Sequence, residues 1–169
     1  MRHIANKLTL LRIILIPVFI LVLVYQQNKF ISAGLFLLLV VTDILDGWIA
    51  RRRKEITTFG KFMDPLTDKL LVSAALIFLI GTVIQPWMVF VIIAREFMVT
   101  GIRLVAMSKD IVIAASSFGK LKTVLQAIAI VFVILNWPYA WHLMILMVVF
   151  TVASGLMYLW EQRDILTDF

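Results

Sequence analysis

Apolar positions in this chain come in long unbroken blocks, unlike the short alternating runs of a soluble domain. Six blocks stand out, about Thr9–Tyr25, Phe30–Ala50, Pro65–Ile84, Trp87–Met107, Phe118–Asn136 and Trp141–Trp160, with short connections between them. Each approaches the roughly 20 residues that a helix needs to cross a bilayer core. The expected fold class is all-α, a polytopic membrane protein with six transmembrane helices. Residues 1–169 then form a single domain, because six spans leave no length for a separate soluble one. The opening, MRHIANKLTLLRIILIPVFILVLVY, has the basic head and apolar run of a signal peptide. It lacks a small-x-small cleavage site before Tyr25, so it is read as a retained first helix.

Composition strengthens this reading. The chain is 63% hydrophobic and 15% charged, with mean hydropathy +1.04, which excludes an ordinary soluble globular domain. The absence of cysteine excludes disulfides, thiolate metal sites and cysteine nucleophiles. Charge is distributed unevenly. The connections at 81–86 and 136–141 carry no Lys or Arg and the one at 26–29 carries only Lys29, whereas nearly all other basic residues fall at the opposite ends of the blocks. By the positive-inside rule both termini are cytoplasmic, which requires an even number of spans. The net charge of +6 thus lies almost wholly on one face of a cell membrane, where anionic lipid headgroups are the natural partner. Nucleic acid is not, since no soluble module offers an aromatic platform for bases.

The stretch VVTDILDGWIARRRKEITTFGKFMDPLTDKL, residues 40–70, breaks the apolar pattern with four aspartates. On a helical wheel Asp43, Asp46, Gly47 and Ala50 fall within about a 100° arc, opposite Ile44, Leu45, Trp48 and Ile49. Asp64 and Asp68 are spaced i, i+4 and share a stripe with Gly60. A carboxylate inside a membrane helix costs roughly 2.5–3.5 kcal/mol on insertion scales. Pairing with nearby arginines, protonation, or solvation at the interface would each account for one or two aspartates. Asp64 is also open to a simple helix N-cap reading, since Pro65 follows it at a favoured first-turn position. Divalent cations account for all four together. Aspartate oxygens suit a hard ion such as Mg²⁺ or Mn²⁺, and two such ions commonly clamp the attacking and leaving oxygens of a phosphoryl displacement.

The pattern Asp43-x-x-Asp46-Gly47-x-x-Ala50-Arg51, eight residues, Gly60-x-x-x-Asp64-x-x-x-Asp68 resembles the full motif of the CDP-alcohol phosphotransferase family. That resemblance implies six membrane helices and transfer of a substituted phosphate from a CDP-linked donor to an alcohol, with release of CMP. It implies that Asp43, Asp46, Asp64 and Asp68 bind two divalent cations, and that Asp68 also acts as base on the acceptor hydroxyl. It places Gly47, Ala50, Arg51 and Gly60 at the CDP moiety, and it implies a homodimer. The run Asn6-Lys7-Leu8-Thr9-Leu10-Leu11-Arg12 resembles an element bordering the nucleotide site in the phosphatidylglycerophosphate synthase branch, which adds Asn6 and Thr9 to the CDP contacts. Ala5 stands where that branch often has proline.

The acceptor must be read from other polar residues in the blocks. Arg95, Glu96, Thr100 and Arg103 occupy one side of the fourth block, and intramembrane ionisable groups are candidate site residues by default. Glu96 is equally open to a purely structural pairing with Arg95 or Arg103. In the fifth block Gly119, Lys122, Thr123 and Gln126 share a face with Lys120 off its edge. Cations at a helix start oppose the helix dipole, so an anion is expected to compensate them, either a headgroup or a substrate phosphate. Gly119-Lys120-x-Lys122-Thr123-x-x-Gln126 resembles the same branch, which implies CDP-diacylglycerol as donor and glycerol 3-phosphate as acceptor. Arg103, Lys120, Lys122 and Thr123 are then the expected phosphate contacts. Phosphatidylglycerol, inositol phosphate and serine remain alternative acceptors. A cation-coupled transporter is a rival of another class, but it predicts polar residues along the full depth of several helices, and the outer halves here are apolar.

Overall fold

The computed structural model describes residues 4–53, 58–108 and 117–163, with side chains for Leu11, residues 13–43, Thr67, 69–107, 119 and 121–163. Among the described residues six helices follow in order: α1 (Ile4–Tyr25), α2 (Lys29–Arg53), α3 (Thr58–Phe78), α4 (Pro86–Ser108), α5 (Ser117–Ile134) and α6 (Ala140–Glu161). There is no β-strand among the described residues; an isolated bridge joins Ile80 to Ile84 in the α3–α4 turn. The all-α class expected from the apolar blocks is therefore observed, and each block corresponds to one helix.

Two boundaries differ in a way that matters. Helix α1 begins at Ile4 rather than near Thr9, which brings Asn6 and Thr9 inside it. Helix α3 begins at Thr58, seven residues before Pro65, and ends at Phe78. The N-cap alternative for Asp64 is thereby removed, since a cap lies outside the helix it starts. Pro65 cannot donate to the carbonyl of residue 61, one turn back. Sequence reading placed a helix start at a proline because that is where proline is usually tolerated.

The turns follow from residues that tolerate unusual backbone. Gly81 adopts φ 92° between α3 and α4. Thr82 reinforces that turn by donating its hydroxyl to the Leu79 carbonyl at 2.6 Å. Asn136 adopts φ 54° between α5 and α6, a left-handed conformation that asparagine takes more readily than most side chains.

Helix α1 packs against both α2 and α3, α3 against α4, α4 against α6, and α5 against α2 and α6. One side chain from each helix shows where the apolar core lies: Phe19, Phe36, Leu76, Ile92, Ile130 and Met144 are all fully buried. Phe19 and Phe36 join α1 to α2, with ring centroids 5.7 Å apart in a tilted arrangement. Ala140–Glu161 is long and apolar enough to cross a membrane by length and composition, and Ile13–Tyr25, Lys69–Phe78 and Leu121–Ile134 are shorter apolar stretches. The other helices carry Asp, Glu, Lys or Arg within their length. Most of the buried polar side chains, among them Thr67, Glu96, Thr100, Lys122, Gln126 and Ser154, belong to α3–α6.

Candidate active site

The four aspartates are carried by two helices. Asp43 and Asp46 are one turn apart in α2, followed on that stripe by Gly47 and Ala50, with Arg51 next along the helix. Asp64 and Asp68 are one turn apart in α3, with Gly60 one turn before them. Helical periodicity therefore gives each acidic pair a common stripe. Asn6, Thr9, Asp46, Gly47, Ala50, Arg51, Gly60, Asp64, Asp68 and Lys120 lie outside the residues whose side chains are described. Asp43 is half-buried. No group of three metal-ligating residues occurs among the described residues. The donor set supplied by the four aspartates contains only carboxylate oxygens, which fits a hard divalent cation.

A second polar cluster has Glu96 at its centre. This carboxylate is buried, and Lys122 of α5 donates to its Oε1 across the helix interface. The Arg95 guanidinium lies 3.4 Å from the same oxygen. On the other oxygen, Lys69 Nζ of α3 stands 3.8 Å away. Arg95 extends the cluster to α6 by donating from Nη2 to Ser154 Oγ at 3.1 Å, and Ser154 in turn donates to the Thr151 carbonyl at 3.0 Å. Thr100 donates its hydroxyl to the Glu96 carbonyl at 2.7 Å, a local bond one turn back along α4. One carboxylate thus gathers cations from three helices and reaches a fourth through Arg95.

The expected acceptor contacts are found in contrasting settings. Lys122 is buried, with its ammonium on Glu96. Thr123 is exposed and donates its hydroxyl locally to the Gly119 carbonyl at 3.0 Å. Arg103 is half-buried, with its Cζ 5.9 Å from the Tyr158 ring centroid. Its Nε is buried without a hydrogen-bond partner. Of the two pairings open to Glu96, with Arg95 or with Arg103, the one with Arg95 is observed, and Lys122 and Lys69 are further partners. Sequence reasoning missed Lys69 and Ser154. The available signal was charge accounting: Glu96 is the sole acidic residue between Asp68 and Asp110, in a region that also holds Lys69, Arg95 and Arg103.

The described residues form an all-helical bundle with the acidic motif carried on α2 and α3, and sequence comparison gives the family directly. Residues 2–153 match the CDP-alcohol phosphatidyltransferase family, and the chain belongs to it. It is similar to the CDP-diacylglycerol–glycerol-3-phosphate 3-phosphatidyltransferase of Bacillus subtilis (strain 168), at 41% identity over 95% of this chain and 93% of that protein. A Rickettsia typhi protein of the same name (strain ATCC VR-144 / Wilmington) is 40% identical over 80% of this chain and 78% of its own length. A probable phosphatidylglycerophosphate synthase of Mycobacterium tuberculosis (strain ATCC 25618 / H37Rv) is 42% identical over 76% of this chain and 64% of its own length.

Proposed function

We propose that this protein transfers the phosphatidyl group from CDP-diacylglycerol to glycerol 3-phosphate, giving phosphatidylglycerol phosphate and CMP. The observation that carries this reading is the near full-length similarity to an enzyme whose name states the donor, the acceptor and the transfer. The complete acidic motif, carried on α2 and α3, supports the same chemistry.

Asp43, Asp46, Asp64 and Asp68 would hold two divalent cations, Mg²⁺ or Mn²⁺. When bound, the cations neutralise charge on the transferring phosphoryl group. Asp68 accepts the proton of the acceptor hydroxyl as its oxygen bonds to phosphorus and the bond from phosphorus to the CMP oxygen breaks. Asn6, Thr9, Gly47, Ala50, Arg51 and Gly60 border the CDP moiety, with Arg51 on the pyrophosphate. Arg103, Lys120, Lys122 and Thr123 receive the acceptor phosphate. The unpaired buried Nε of Arg103 supports that assignment, because a buried donor favours a site where an anion can reach it.

The helices span the cell membrane six times, with both termini and the site on the cytoplasmic side, and the protein works as a homodimer. Large apolar side chains such as Phe30, Phe90, Leu156 and Trp160 are mostly exposed on the bundle surface, which suits lipid and would be costly against water. The basic ends of the helices supply the orientation.

The test is CMP release by the purified full chain with CDP-diacylglycerol, a divalent cation and each acceptor in turn. Glycerol 3-phosphate is expected to support release. Silence with glycerol 3-phosphate and turnover with phosphatidylglycerol, inositol phosphate or serine would replace the acceptor while leaving the transfer intact.

A further inference from the structure

We infer that Glu96 is a positioning residue for the acceptor: it fixes the Lys122 ammonium, and Lys69 beside it, where an acceptor phosphate is bound. The inference rests on the reading that Lys122 contacts that phosphate, and adds a group that does not itself touch substrate.

Glu96 is the only carboxylate in α4 or α5. It is buried, yet it receives Lys122 and Arg95 on one oxygen and faces Lys69 with the other. Among the described side chains three cations meet one anion, so these four groups together carry an excess of positive charge after Glu96 has been counted. Excess charge held out of water is unfavourable unless an anion approaches. A dianionic acceptor satisfies that demand, and an acceptor without net negative charge does not.

Geometry argues for position rather than simple neutralisation. A lysine ammonium has three donor directions. One is spent on Glu96, leaving two for phosphate oxygens. The long lysine stem would otherwise lose rotamer freedom on binding, and a pre-set ammonium spares the complex that loss. Arg95 braces the same carboxylate oxygen, and its other nitrogen is held by Ser154 of α6. Lys69 is the residue after Asp68 in α3, so Glu96 also ties the helix carrying the proposed base to α4 and α5.

The experiment measures KM for both substrates with full-length variants in detergent micelles. Glu96→Gln is expected to raise KM for glycerol 3-phosphate at least fivefold while KM for CDP-diacylglycerol stays within twofold. Glu96→Asp, which keeps the charge on a shorter stem, is expected to lie between, and carries the same test if Glu96→Gln does not fold. In a Lys122→Met background, adding Glu96→Gln is expected to raise the acceptor KM by a smaller factor than it does in the wild type, because only Lys69 is then left to be released. An acceptor KM that is unchanged or lowered in Glu96→Gln overturns the inference, as does a parallel change in both KM values or an additive effect in the double variant. Failure of the underlying reading shows up separately, in the wild type: no CMP release with glycerol 3-phosphate. If another phosphorylated acceptor then supports turnover, its KM takes the same place. An acceptor lacking phosphate would remove the role assigned to Glu96.

Discussion

Gly155 of α6 lies against the Arg95 side chain of α4, so closely that a Cβ at position 155 would stand 3.0 Å from Arg95 Cγ and 3.6 Å from its Nε. Gly155 is buried, and the near atom belongs to the fixed part of the arginine stem rather than its free end. Gly155→Ala is therefore expected to shift Arg95 and strain its bond to Ser154. Overpacking of this kind typically costs roughly 1–3 kcal/mol. Thermal unfolding of the purified variant checks it, and wild-type stability would mean that Arg95 can yield at no cost.

That contact also marks the limit of what the sequence makes legible. Six apolar blocks were enough to place six helices, because each helix is written in contiguous residues. The acidic stripes were equally plain: i, i+3 and i, i+4 spacings are properties of one helix. The Glu96 cluster was only half legible. Arg95 adjoins Glu96 in the chain, but Lys122 is 26 residues away and meets it because α4 and α5 both pack against α3 and α6. Lateral register between helices is not encoded in the periodicity of either. Pro65 misled for a related reason. A proline in a block of apolar residues usually marks a first turn, but here the helix had already begun in the polar residues at Thr58.

Asp68→Asn keeps the size of the side chain and removes its basicity. A positioned general base contributes roughly 10²–10⁴-fold in rate, so turnover is expected to fall by at least about 100-fold while CDP-diacylglycerol binding remains measurable. The two readouts must be taken on the same preparation. Near-normal CMP release in this variant would take the base role away from Asp68.

Removal of divalent cations should have an effect that the protein's own charges cannot replace. The four aspartates bring a formal charge of −4 to the α2–α3 motif, and the donor phosphates add more negative charge. Treatment with a chelator is expected to stop CMP release, and addition of Mg²⁺ or Mn²⁺ to restore it. Asp43→Asn should then require a higher metal concentration for half-maximal rate. Full activity in chelator would exclude the two-metal reading.

Tyr158 tests the setting of Arg103 without touching the arginine. Its ring lies 5.9 Å from Arg103 Cζ, while its buried hydroxyl makes no hydrogen bond. An unpaired buried hydroxyl costs roughly 1–3 kcal/mol relative to one that stays in water. Tyr158→Phe deletes that group and keeps a ring face for the guanidinium. The variant is expected to unfold at the same temperature as wild type or higher, with KM for glycerol 3-phosphate within twofold. Tyr158→Ala removes the ring as well, and is expected to raise that KM by loosening Arg103. A lower unfolding temperature for Tyr158→Phe would mean that the hydroxyl has a bonding partner in the working enzyme, and the proposed acceptor phosphate near Arg103 would then be the first group to examine.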